Sequence, residues 1–191
     1  MSPKIQLPES NFAEAAGLFA LLSTLWAKEV DEKVLKSMTH PPLADAWKKA
    51  GGQLPKQINS DWIELLSVDY CQLLIGPKNH ASPFQSVWDQ SRYQADAAAS
   101  MKRYIDMVQG FQPCLDMLDH VAVQLQFASA LMSMAEQAKR KLIVGLAQAF
   151  ARDHLAWTSP FFKRVSEQAE TPFYRSLATI SHEFLFVQVT V

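Results

Sequence analysis

Apolar residues recur along this chain at spacings of three and four, and no segment stands out with an alternation of period two. Phe12, Ala16, Phe19, Leu22 and Trp26 fall on one face of a helix that Asn11 can cap. A second helical piece runs from near Asp31 to Met38 and ends before His40-Pro41-Pro42. A short one passes through Trp47 and stops at Gly51-Gly52. Trp62, Leu65, Leu66, Tyr70, Leu73 and Leu74 fall at i, i+3, i+4, i+8, i+11 and i+12, which predicts a strong amphipathic helix capped by Ser60 or Asp61. Gly76-Pro77 ends it, because proline cannot continue a helix and glycine readily takes a left-handed turn. Helical patterns follow over Arg92 to Val108, Asp116 to Ala138, Leu142 to Trp157 and Phe161 to Ala169. Thr171-Pro172 then opens a last helix with a cap and a proline in its first position. The terminal run Phe186 to Val191 is β-branched and reads as a frayed helix end. These segments predict an all-α bundle of about eight or nine helices in one domain over residues 1–191.

The break after Gly76-Pro77 is the most informative place in the pattern. The loop Lys78-Asn-His-Ala-Ser-Pro-Phe-Gln-Ser-Val-Trp88 carries two large aromatics where a surface segment is expected. Such a loop folds its aromatics back onto the body or offers them to a partner.

Composition adds mainly exclusions. A chain of 191 residues buries roughly 70% of its unfolded surface and needs no disulfide or metal to do so. Lys+Arg 18 nearly balance Asp+Glu 19, and nothing in the sequence looks like the clustered basic face that nucleic acid needs. Met1-Ser-Pro-Lys4 lacks the apolar stretch of a secretion signal, and no run reaches the ~20 apolar residues of a membrane span. The expected location is cytoplasmic. Cys71 and Cys114 fit neither a metal spacing nor a disulfide framework and read as small buried residues. His40, His80, His120, His154 and His182 are far apart, with no His-x-x-x-His pair. No metal or cofactor is called for, and no nucleophile elbow, Walker loop or dinucleotide fingerprint is present.

Three blocks carry a family resemblance. The first is Tyr70-Cys-Gln-Leu-Leu-Ile-Gly-Pro77 followed by Pro83-Phe-Gln-Ser-Val-Trp88. The second is Asp119-His120-Val-Ala-Val-Gln-Leu-Gln-Phe127. The third is His154-Leu-Ala-Trp157, Phe161 and Pro172-Phe-Tyr-Arg-Ser-Leu-Ala178. In this order they resemble the TorD/DmsD family of redox-enzyme maturation chaperones. The resemblance implies an all-helical fold with N- and C-terminal helical parts, for which Gly110 to Leu118 is the natural hinge. It also implies a non-enzymatic chaperone. Its partners would be the twin-arginine leader peptide and the apoprotein of a molybdopterin oxidoreductase, bound before export.

Read from the residues alone, Asp119-His120 is an ordinary helix start, since aspartate accepts backbone N–H bonds there. The resemblance instead implies that Asp119, His120, Pro83, Phe84, Ser86, Trp88 and Tyr70 form the peptide site, with Asp119 meeting the leader's arginines. Tyr70 and Leu73 also read as core residues beneath the loop. The family often carries Glu where this chain has Gln124, so one expected negative charge is missing. A monomer and a domain-swapped dimer are both compatible with a hinged helical chain. The competing reading is an all-α enzyme or small-ligand protein with its pocket around His120.

Overall fold

In the computed structural model, residues 11–89, 94–138 and 141–186 are described; the terminal run 187–191, the first ten residues and the start predicted at Arg92 lie outside them. Ten α-helices and one π-helical segment are present among the described residues. No strand occurs among the described residues, and an isolated bridge joins Phe84 to His120. The all-α expectation holds, and the helix beyond the nine that periodicity marks is a single turn inside the aromatic loop.

The chain divides into two compact units that interleave along the sequence. The first comprises residues 1–27, 83–159 and 185–191, and the second 28–82 and 160–184. Residues 110–118 lie wholly within the first.

In the first unit, α1 (Phe12–Ala27) packs along α7 (Val121–Ala138), and α7 packs on α8 (Lys141–His154). Phe19, Leu22 and Trp26 of α1 and Phe127 of α7 are fully buried, as the 3.6-residue period requires. Hydroxyls reinforce the packing. Ser23 Oγ donates to the Ala122 carbonyl and Ser129 Oγ to the Ala16 carbonyl, both at 2.8 Å. Beside them lie α5 (Gln85–Trp88) and α6 (Gln94–Asp106).

Periodicity overextends α7 at its start, placing it at Asp116, whereas the helix begins at Val121. Gly110, at φ +82°, turns the chain out of α6, and the segment after it stays irregular. The Gln126 side chain holds that segment, accepting from the Cys114 N–H at 2.8 Å and donating to the Gln112 carbonyl at 3.0 Å. Cys114 is consequently exposed, not buried as its apolar neighbours suggested, and Cys71 is half-buried.

The second unit holds α2 (Glu32–Met38), α3 (Leu43–Lys49), α4 (Ser60–Tyr70), the π segment Cys71–Ile75, the main part of α9 (Thr158–Gln168) and of α10 (Pro172–Leu185). Asp31 caps α2 by accepting the Val34 N–H at 2.9 Å. The cap of α4 is Asn59, which takes the Trp62 N–H at 3.0 Å, and not Ser60 or Asp61. Thr171 and Pro172 start α10 as expected, with Thr171 Oγ1 accepting the Tyr174 N–H at 3.3 Å. A buried carboxylate secures this corner: Asp69, 1% exposed, accepts from Glu170 N–H, Thr171 N–H and Thr171 Oγ1. Tyr70 lies next to it, 7% exposed, with its ring centroid 5.9 Å from that of Tyr174.

Gly76 does not take the left-handed conformation expected of it. Its φ of −50° and ψ of 155° are those of a residue held extended by the following proline. Space is tight here as well, since a Cβ would sit 3.0 Å from the Gln72 carbonyl oxygen and would push that backbone aside by a few tenths of an ångström.

Candidate functional site

The loop block and the Asp119-His120 block, more than thirty residues apart in sequence, meet in the first unit. Pro83 and Phe84 run alongside His120, with Val121 N–H donating to the Pro83 carbonyl at 2.8 Å and Gln85 N–H to the Asp119 carbonyl at 3.0 Å. The Phe84 and His120 rings meet edge to face with centroids 5.1 Å apart. The carboxylate of Asp119 accepts the Ser86 N–H at 3.3 Å. Asp119 therefore supplies both a backbone and a side-chain acceptor to the first turn of α5, whose Gln85 and Ser86 N–H groups have no helical partner.

His120 does the same for α7. Its carbonyl accepts the Gln124 N–H, and its Nδ1 accepts the Ala122 N–H at 3.1 Å. That bond needs an unprotonated Nδ1, so the ring is the neutral tautomer with hydrogen on Nε2. Burial pushes the imidazole down to about 4, against the opposing pull of the Asp119 charge.

Beneath the loop lies a polar network that sequence reasoning missed. Gln85, 5% exposed, donates from Nε2 to the Asp153 carbonyl and to Asp89 Oδ2, both at 2.7 Å. Its Oε1 accepts from Gln124 Nε2 at 2.6 Å and from His154 Nδ1 at 2.9 Å. Gln124, fully buried, in turn accepts the Trp157 indole N–H at 2.8 Å. Since His154 Nδ1 donates, its Nε2 accepts, and Ser100 Oγ stands 3.1 Å away as the donor. This second imidazole is also pushed down to about 4, mainly by burial, with Asp153 opposing and Arg103 assisting. Asp153 takes the Tyr104 hydroxyl at 2.6 Å, and burial together with that bond raises the phenol to about 12.

Gln124 is thus a matched partner: its amide donates to one neighbour and accepts from another. A carboxylate there would leave Gln85 Oε1 without that donor and place a charge in a closed interior.

The predicted site residues separate by exposure. Asp119, Ser86 and His120 are 4%, 5% and 5% exposed, and Pro83 is buried. Phe84 and Trp88 are half-buried, with Trp88 against Trp157 at 6.4 Å between centroids. The loop's solvent-facing apolar surface also includes Val87, and Met117 lies exposed two residues before Asp119. Neither was marked by its sequence. Tyr70 belongs to the second unit. Among the described residues no group of three or more His, Cys, Asp or Glu side chains could hold a metal ion. No described helix is long and apolar enough to cross a membrane.

These features define an all-helical protein whose aromatic loop is braced from below by buried amides and neutral imidazoles. Known proteins identify the group to which such a chain belongs. The profile of the nitrate reductase delta subunit family matches residues 40–163, well over half of the chain. Chaperone protein TorD of Shewanella pealeana is 26% identical over 196 aligned positions, covering 88% of this chain and 85% of that protein. TorD of Shewanella loihica is 27% identical, covering 94% and 92%. Chaperone protein YcdY of Escherichia coli is 25% identical over 118 positions, covering 62% and 60%. No solved structure gives a significant match. The chain belongs to the TorD/DmsD family of redox-enzyme maturation chaperones.

Proposed function

We propose that this protein is a cytoplasmic chaperone, not an enzyme, that binds the twin-arginine leader of a molybdenum-cofactor oxidoreductase and holds the apoprotein until it matures. The names of its relatives, TorD and YcdY chaperones, support the class. The observation that carries the leader-binding reading is the interlock of Pro83–Trp88 with Asp119, His120 and Val121 through three hydrogen bonds and one ring contact. In this reading Phe84, Val87 and Trp88 are the contact surface for the apolar stretch of a leader, by the mode in which an amphipathic helix lies against apolar side chains. Asp119, His120 and Ser86 are positioning residues. Asp119 is 4% exposed and already holds Ser86 N–H, so little of its carboxylate is open to an arginine. Its main contribution is to fix the loop before a peptide arrives, which removes ordering cost from binding.

Purification of the tagged protein from its native host, with mass spectrometry of what is retained, tests the class of partner. Enrichment of a leader-bearing oxidoreductase apoprotein is expected. Retention that is unchanged when the leader is deleted from that partner would refute leader recognition.

A further inference from the structure

We infer that an apolar cleft of the second unit, between the start of α2 and α4, is a docking surface for a cationic amphipathic helix. The cleft encloses about 560 Å³. Val30, Ile63 and Val68 supply its apolar lining, and four of its ten lining residues are carboxylates while none is basic. Val68 also belongs to an outward stripe of α4 and the π segment, where Leu65, Val68 and Ile75 are 43%, 45% and 65% exposed. Exposed apolar side chains grouped on one helix face beside an apolar cleft suit a partner helix.

The charges decide which helix. Two of the four carboxylates are spoken for within the unit. Asp31 caps α2 and pairs with Lys28 at 3.1 Å, and Glu32 pairs with Lys36 at 2.7 Å. Glu29 and Glu64 differ, for among the described residues neither has a lysine or arginine partner. Glu29 is fixed in place by Ser67 Oγ at 2.5 Å and by the Cys71 thiol at 3.5 Å. A held carboxylate and an exposed one, flanking aliphatic side chains, complement a helix with arginine or lysine beside leucine or valine. The relevant partner in the proposed function is the client polypeptide, and the cleft would hold a basic helical segment of it. The inference does not depend on where the leader binds.

Fluorescence anisotropy with two synthetic 18-residue helical peptides, one of leucine and arginine and one of leucine and glutamine in the same pattern, tests this. The protein is expected to favour the arginine peptide, more so at low salt. The double variant Glu29→Gln/Glu64→Gln should lose about three- to tenfold of that affinity, as two rim charges imply. The charge-matched control Glu136→Gln/Glu167→Gln should lose none of it. Glu64→Gln alone, at an exposed position, gives the same sign if the double variant folds poorly. Equal binding of both peptides, or equal losses in the cleft variant and the control, would overturn the inference. Either result leaves leader binding at Trp88 untouched.

Discussion

Acid should destabilise this protein through two histidines that the fold keeps neutral. His120 Nδ1 accepts the Ala122 N–H, and His154 Nε2 accepts from Ser100. Protonation removes each acceptor. The unfolded chain takes the proton near 6.5, whereas the folded rings resist it until about 4. Their contribution is therefore complete above pH 6.5 and falls as the pH drops through that window. Each depressed imidazole loses roughly a kcal/mol or more per pH unit within it. Between pH 7 and pH 5 the pair removes on the order of 3 kcal/mol, a large share of the 5–15 kcal/mol typical of a domain. His182, also lowered by burial, adds in the same direction. Urea melts at pH 7, 6 and 5 measure the effect. His120→Asn retains a capping side chain that does not titrate, and His154→Gln retains an amide that can donate and accept. Each should flatten the wild-type slope. Curves for both variants that run parallel to wild type between pH 7 and 5 would refute the assignment of neutral, bonded rings.

Gln124→Glu should destabilise by about 1–3 kcal/mol at pH 8 and recover toward pH 5, because a protonated carboxyl can again donate to Gln85 Oε1 and accept from Trp157; melts at the two pH values check it. A penalty relative to wild type that is as large at pH 5 as at pH 8 would contradict the closed network. Asp69→Ala should cost about 3 kcal/mol, since three donors at the start of α10 lose a buried charged acceptor, and a loss under about 0.5 kcal/mol in thermal melts would contradict it. Asp119→Ala should increase hydrogen exchange at the Ser86 amide while leaving α1 protection unchanged, which distinguishes a loop brace from a core residue.

Helices were legible where one face meets a core. Phe19, Leu22 and Trp26 report their burial through spacing alone, and Thr171-Pro172 marks its helix through local capping chemistry. The turn α5 was not legible, because four residues carry no period and its N-terminus is satisfied by Asp119, far away in sequence. Gly76 illustrates a conflict of local rules, in which the proline after it outweighs its own freedom. The structure brings the two family blocks, Pro83–Trp88 and Asp119-His120, together in one unit, a contact that no local period in either block encodes. The network behind them could not be read, because Gln85, Gln124 and His154 are polar residues whose partners lie 39 and 69 positions away. Gln124 was visible only as a missing charge, while in the fold it is an amide fitted to two neighbours.

Calorimetric titration with a twin-arginine leader peptide, run beside a thermal melt, tests the central claim most directly. Wild type should bind. Trp88→Ala should lose about 2 kcal/mol of binding if that ring is an interface anchor, and Val87→Ser, at a position 57% exposed, should weaken binding without lowering the melting temperature. Absence of wild-type binding, or affinity unchanged in both variants, would contradict the account.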